Sequence, residues 1–253
     1  MIVPASWMPA AVMSRIHLHW TGGAYAANAT DRKSYHIVID GTPKLIRGDK
    51  SIKLNEAPIR GSYAGHTLGA NSGAIGISIC AMGGADVRES PFVAGRYPIT
   101  REQWDLAIPA IADLAKRYRI PVTPKTILTH AEVQADLGIA QKNKWDITRL
   151  VFLPTVVGAK AIGDLMRRSV AAALDGIKAE PPAIPETMRP PRFRVEGVRP
   201  STLTFRDGPN GKARGALPEG TLLERLGAAG DWWQVRTPAG FVGWVYSSYL
   251  AAA

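Results

Sequence analysis

The chain has 253 residues, of which 46% are apolar and 21% are charged, and its formal net charge is +10 at pH 7. These values predict a globular protein with one large domain, or with one medium and one small domain. No apolar run approaches the roughly 18 residues that suggest a membrane span, and the first residues lack the basic start of a secretory signal peptide. The single cysteine, Cys80, excludes an internal disulfide and fits a protein of the reducing cytoplasm.

The first predicted strand covers residues 15–20. Three apolar residues alternate there with His17 and His19, so one face is apolar and the other carries two imidazoles. Apolar runs bounded by turn residues predict further strands, and we expect them to form one mixed sheet. These strands cover residues 35–40, 44–47, 75–80 and 125–130.

The last of these strands delivers His130 where the chain should turn. A loop follows in which Lys144 and Asp146 are separated by one residue, so both side chains can point to the same side. Zinc prefers nitrogen and oxygen ligands. Spacing alone does not define a metal site here, because the chain has no HExxH or CxxC pair.

Two helices are predicted. Thr100 and Gln103 form a capping-box pattern before a helix that ends by Pro121, and apolar residues follow at helical spacing. The second helix, about residues 158–177, has an apolar face for the core, with Arg167 and Arg168 expected outside.

Six prolines follow Lys178 within residues 181–200, the last of them Pro200, and predict an extended linker. We therefore expect a first domain over residues 1–178, a linker over 179–196 and a second domain over 197–253. Short β-type runs separated by Gly, Pro and Asn predict a small barrel in the second domain. Trp232 and Trp233 point to opposite faces of one strand there, so one is expected in the core and the other in a groove.

Several motifs resemble the type-2 N-acetylmuramoyl-L-alanine amidases, which include phage lysozyme-like amidases and peptidoglycan recognition proteins. The resemblance covers about residues 14–150, and it implies an α/β fold with a mixed central β-sheet flanked by helices. Residues 197–250 resemble bacterial SH3-like domains through Asp-Trp-Trp-Gln-Val and Gly-Phe-Val-Gly-Trp-Val. The amidase motifs are residues 16–21, Tyr35-His36, the run from His66 to Asn71, Ala74 to Ser78, Thr129 to Val133 and Lys144-Trp-Asp146.

The resemblance implies that His19, His130 and Asp146 bind Zn²⁺, with Tyr35 and Lys144 around the scissile amide. His36 and His66 are candidates for lining the substrate groove, and a structural histidine is the alternative for each. His17 occupies a position that is usually apolar, so it is interpreted as a supporting or surface residue, with the role of substitute ligand left open.

The chain departs from some family members at one position. They carry a glutamate on the strand that corresponds to residues 75–80, which here reads Ile-Gly-Ile-Ser-Ile-Cys. The identity of the general base is therefore open, and Tyr35 and Glu132 are the candidates.

The implied activity is zinc-dependent hydrolysis of the amide between N-acetylmuramic acid and L-alanine of peptidoglycan, with wall binding by the second domain. We expect a monomeric phage or prophage endolysin without nucleic-acid partners, held in the cytoplasm until a holin-like partner releases it to the wall. Four alternatives remain: a cell-wall recycling amidase, a non-catalytic peptidoglycan receptor, a cysteine peptidase using Cys80, and a DNA-binding protein, which the basic charge would suit.

Overall fold

The computed structural model describes residues 2–86, 92–142, 144–176, 191–238 and 241–253. These residues form two compact units. The first unit contains the described residues of 2–151 and 156–176, and the second contains 152–155 and the described residues from 191 onward.

The first unit is built on a five-stranded sheet in the order β3-β2-β4-β1-β5. The β1/β4, β1/β5 and β2/β4 pairs are parallel, and β2/β3 is antiparallel. The sheet is therefore mixed, as the sequence predicts. Its strands are β1 (Arg15–Trp20), β2 (Ile37–Ile39), β3 (Leu45–Arg47), β4 (Ala74–Ile79) and β5 (Ile127–Thr129).

Strand β1 lies between β4 and β5 in this sheet. It pairs with β4 on one side and β5 on the other, so its backbone is satisfied on both edges and its side chains from Ile16 onward are buried. His17 lies opposite Gly76 and His19 lies opposite Ser78 in β4. The alternation seen in the sequence thus places both imidazoles on one buried face.

Four α-helices flank this sheet in the described part of the first unit. The predicted capping box is present at the start of the long helix α2, where Thr100 and Gln103 bond reciprocally. Both longer helices bury the apolar face that the sequence predicts. The helices are α1 (Ala29–Ser34), α2 (Arg101–Tyr118), α3 (Val133–Leu137) and α4 (Ala159–Leu174).

One prediction for α4 is wrong. Arg168 is exposed as expected, but Arg167 is buried and its guanidinium lies 2.8 Å from the carboxylate of Glu132. Residue 177, at the predicted end of this helix, lies outside the described residues.

The second unit is a seven-stranded sheet in the order β12-β6-β9-β10-β11-β7-β8, and every described pairing is antiparallel. This all-β arrangement agrees with the predicted SH3-like barrel. The strands are β6 (Arg192–Val195), β7 (Leu203–Arg206), β8 (Ala213–Leu217), β9 (Leu222–Ala229), β10 (Trp232–Arg236), β11 (Val242–Tyr246) and β12 (Leu250–Ala252).

The linker predicted over residues 179–196 overlaps strand β6. Strand β6 pairs with β9 and β12, so residues 192–195 belong to the second sheet despite the prolines before them. Residues 177–190 lie outside the described residues, and the domain boundaries stay predictions. None of the helices in the described ranges has the length and apolar character that crossing a membrane requires.

The two adjacent tryptophans of β10 have different environments. Trp233 packs against the apolar core of the second unit, with its ring 4.6 Å from that of Phe193. Trp232, on the opposite face, lines a groove. The sequence predicted this division without indicating which tryptophan takes which place.

Candidate metal centre

Three side chains converge in the first unit. Nδ1 of His19 lies 3.0 Å from Nδ1 of His130 and 3.1 Å from Oδ2 of Asp146. Nδ1 of His130 lies 3.2 Å from the same carboxylate oxygen. All three residues are buried. The structure thus brings together the three residues that the sequence singled out as metal ligands.

A strand and a 3-10 turn hold the two histidines, and a backbone hydrogen bond holds the loop that carries Asp146. His19 is on the central strand β1, and His130 begins a single 3-10 turn directly after β5, the other neighbour of β1. The backbone N–H of Ala131 donates a hydrogen bond of 2.7 Å to the carbonyl of Asp146. This bond ties the Asp146 loop to the turn that carries His130.

The outer ring nitrogen of each histidine has an oxygen partner. Nε2 of His130 lies 3.0 Å from Oε1 of Gln141, whose amide nitrogen donates to the carbonyl of Leu68. Nε2 of His19 lies 3.4 Å from the Thr67 hydroxyl. In the tautomer that carries its proton on Nε2, each imidazole can donate to this oxygen partner and presents its Nδ1 lone pair on the side of Asp146, which is the form that a metal ion needs.

This donor set fits zinc. Two neutral imidazoles and one carboxylate are a usual zinc combination, and they leave one position of a tetrahedral ion open. Ligands about 2.0–2.2 Å from such an ion are separated by roughly 3.3 Å, and the three pairs here are separated by 3.0, 3.1 and 3.2 Å.

The charge states also suit a cation. Burial lowers the pKa of His19 to about 4, although the hydrogen bond with Asp146 opposes the change, so the imidazole is neutral at pH 7. Burial would raise the pKa of Asp146, but hydrogen bonds from His130 and His19 outweigh it and lower that pKa to about 2. The centre therefore offers a neutral imidazole at His19 and a negative charge at Asp146.

A pocket of about 220 Å³ opens onto this centre, and its walls include Trp20, Tyr35, His66, Lys144 and Trp145. Lys144 is exposed at its mouth. The Tyr35 ring centroid lies 5.2 Å from that of His19. Burial and the charge of Asp146 raise the pKa of Tyr35, so its hydroxyl keeps its proton and acts as a donor. This disfavours Tyr35 as the general base.

The Thr67 hydroxyl joins three histidines. It lies 3.0 Å from Nδ1 of His17 and 2.9 Å from Nδ1 of His66, in addition to its contact with His19. His17 is fully buried, which excludes the surface interpretation. His17, His19 and His66 also form a group whose nitrogens approach within 4.8 Å. The hydroxyl among them favours a hydrogen-bonded network over a second metal site.

His36 does not reach the pocket. Its Nε2 lies 3.1 Å from Oδ1 of Asn55, and its Nδ1 accepts a hydrogen bond of 2.9 Å from the Gly76 N–H. Both ring nitrogens are therefore occupied, and the structural interpretation replaces the predicted substrate-binding role. His66 does line the pocket.

Glu132 and Cys80 are unsuited to the catalytic roles predicted as alternatives for them. The carboxylate of Glu132 accepts hydrogen bonds from Arg167 and from the Thr129 N–H, which leaves it unsuited to act as a general base. Cys80 is fully buried, and burial raises the pKa of its thiol to about 12, so the thiolate needed by a cysteine peptidase is scarce.

Sequence reasoning missed Thr67 and Gln141. Thr67 directly follows His66 in the run from His66 to Asn71, so its position could have indicated a place near the site. Gln141 lies in an irregular loop, and no pattern in the sequence marks its contact with His130.

Comparison with protein families identifies the family of each unit. Residues 9–148 match the family described as N-acetylmuramoyl-L-alanine amidase, and this match covers more than half of the chain. The chain belongs to this amidase family, and the prediction of its enzyme class is confirmed. Residues 201–251 match the bacterial SH3 domain.

Among solved structures, the chain is similar to the N-acetylmuramyl-L-alanine amidase AmiD from E. coli in complex with anhydro-N-acetylmuramic acid-L-Ala-D-gamma-Glu-L-Lys. The two share 19% identity over 64% of this chain and 72% of that chain, with a TM-score of 0.34. A search of curated protein sequences found no match.

Proposed function

We propose that the protein is a zinc-dependent peptidoglycan hydrolase that cleaves the amide between N-acetylmuramic acid and the L-alanine of the stem peptide. One observation carries the zinc assignment: the Nδ1 atoms of His19 and His130 and Oδ2 of Asp146 meet within 3.0–3.2 Å of one another beside an open pocket. Membership in the amidase family supports the bond that is cleaved.

The chemistry follows from the donor set. Bound zinc would supply Lewis acidity, which polarises a carbonyl and makes water a better nucleophile. The chain's own part is to orient both imidazoles through Thr67 and Gln141 and to hold the third ligand by the backbone bond at Ala131.

Lys144 and Tyr35 are proposed as the catalytic partners. Both lie in the pocket wall. Amide hydrolysis places negative charge on the carbonyl oxygen in the transition state, and the Lys144 ammonium would stabilise that charge more than it stabilises the ground state. The Tyr35 hydroxyl keeps its proton, so it would donate a hydrogen bond to the substrate.

We further propose a lytic role, as a phage or prophage endolysin that stays in the cytoplasm until a holin-like partner releases it. The bacterial SH3 domain favours this role over recycling, because soluble muropeptides need no wall-binding unit. Comparison of rates on insoluble wall and on soluble muropeptides tests it, and a strong preference for soluble fragments would indicate recycling. Lysis by the protein expressed alone would exclude a need for the holin-like partner.

The activity itself is tested by digestion of purified peptidoglycan followed by mass spectrometry. Stem peptides that begin with L-alanine, together with uncut glycan, are the expected products. New glycan ends or cleaved peptide cross-links would contradict the proposal, and wall that is bound but not cut would indicate a receptor.

A further inference from the structure

The second unit has its own candidate binding site. A groove of about 340 Å³ lies between strands β10 and β11 and the segment that leads into β7. This volume is within the range of ligand pockets. Three aromatic side chains line the groove, namely Trp232, Tyr246 and Tyr249.

The aromatic rings are displayed by the backbone pairing. Trp232 lies directly opposite Tyr246 in the β10/β11 register, and their ring centroids are 5.4 Å apart in an edge-to-face arrangement. Tyr249 follows on a 3-10 turn and is 42% exposed. Aromatic side chains that are left partly exposed in a concave surface are typical of binding sites.

Charge indicates what kind of ligand fits. Among the described residues that line the groove, Arg206 is the one charged side chain. Its Nη1 donates to the carbonyl of Gly211, and its guanidinium lies over the Trp232 ring, 5.8 Å from the centroid. At the groove's edge, the Asp231 carboxylate accepts a hydrogen bond from the Tyr246 hydroxyl. The two opposite charges give little net attraction for an acidic peptide.

The remaining lining groups suit the rings and hydroxyls of a sugar. Three residues with hydroxyl side chains, Ser201, Thr202 and Thr204, also line the groove. A sugar ring has apolar C–H faces that stack on aromatic faces and hydroxyls that exchange hydrogen bonds around its rim. Peptidoglycan offers both an acidic peptide and such a glycan.

We propose that this groove binds the glycan strand of peptidoglycan, with sugar rings against Trp232 and Tyr249. The identity of the polymer rests on the proposed function. The choice of glycan has a consequence for that function. The amidase reaction removes stem peptides and leaves a lactyl carboxylate on each muramic acid, but it breaks no glycosidic bond, so the sugar rings that the groove binds would survive digestion and retain the enzyme on the wall.

The test measures capture of the full-length protein by immobilised glycan strands stripped of their stem peptides, at physiological ionic strength so that the lactyl carboxylates attract the basic chain little. This probe lacks the scissile amide, so binding is measured without turnover. We expect Trp232→Ala and Tyr249→Ala each to weaken binding by about tenfold or more. Phe241→Ala is the matched control, since this aromatic side chain is 68% exposed and lies outside the groove, and it should bind like wild type.

Three results would overturn the proposal: wild type that does not bind the stripped glycan, groove variants that bind like wild type, or binding that excess free stem peptide displaces. Tyr249 is the more exposed side chain, so its variant decides the matter if Trp232→Ala unfolds. Release of stem peptides by wild type is measured separately, so loss of glycan binding with retained hydrolysis refutes only the groove.

Discussion

The hydroxyl oxygen of Thr67 lies 3.4 Å from Nε2 of His19, the ring nitrogen that does not contact Asp146. A neutral imidazole carries one proton, so a donor at Nε2 leaves Nδ1 as the lone pair for a metal. The same hydroxyl lies within 3.0 Å of ring nitrogens of His17 and His66. Since it has one proton, it can donate to one of the three and accept from the other two.

Replacement of Thr67 should therefore weaken metal binding. We expect Thr67→Val to raise the dissociation constant for zinc about 10- to 100-fold, because it removes the group that holds His19 in its tautomer and orientation. Thr67→Ser keeps the hydroxyl and should remain close to wild type. Competition of the metal-free protein with a chromophoric chelator measures both, and equal affinities for Val and wild type would refute this role.

Lys144→Ala should lower kcat by about 10²- to 10³-fold while zinc affinity stays the same. The reason is that a cation near the developing oxyanion acts on the transition state and not on the metal. Lys142→Ala is the control, since this lysine is exposed two residues away and does not line the pocket. Equal losses in both variants would show that the effect is general loss of charge.

The buried ion pair between Arg167 and Glu132 should matter for stability. Arg167→Met leaves the Glu132 carboxylate buried without a counterion, so we expect the free energy of unfolding to fall by about 3–5 kcal/mol. Arg168→Met, at the exposed neighbouring position, should change it by less than about 0.5 kcal/mol. Urea unfolding measures both. When Glu132→Gln is already present, Arg167→Met should lower the free energy of unfolding by less than it does in the wild type. An equal loss in both backgrounds would indicate that the effect comes from lost packing.

His36 should make stability depend on pH. Burial lowers its pKa to about 4 in the folded state, partly offset by the bond to Asn55, whereas the unfolded chain has a pKa near 6.5. Between these values the unfolded state binds the proton and the folded state does not. The free energy of unfolding therefore falls as pH decreases from about 6.5 to 4, by roughly 3 kcal/mol from this residue.

His36→Gln removes that dependence. The His66 ring, 5.7 Å away, titrates in the same direction and remains in both proteins. Denaturant unfolding at several pH values should therefore give a shallower decline for the variant below pH 6.5 and parallel curves above pH 7. Identical slopes at low pH would contradict the assignment.

Local patterns predicted most of the first unit. Alternation defined β1, and the Thr100 capping box with helical spacing defined α2, because short-range sequence determines both features. The pairing of Arg167 with Glu132 was not predictable, since an arginine next to Arg168 on a helix is usually solvated. Here the neighbouring turn supplies a buried carboxylate. Strand β6 was also missed, because its pairing with β9 and β12 outweighs the proline-rich context.

The candidate site was predicted in part. Resemblance gave His19, His130 and Asp146, which the fold brings together from three distant segments. The resemblance left two roles open for His36, in the substrate groove or in the structure. Only the fold shows that Asn55 and Gly76 occupy both of its ring nitrogens. Thr67 and Gln141 act through tertiary contacts with the two histidines, so spacing along the chain could not indicate them.

Zinc titration of the metal-free protein, with release of stem peptides followed at each step, tests the central claim most directly. The account predicts that activity rises in proportion to zinc and reaches its maximum at one equivalent per chain, and that Asp146→Ala neither binds zinc tightly nor gains activity. Full activity of the metal-free protein, a need for two equivalents, or wild-type activity of Asp146→Ala would contradict it.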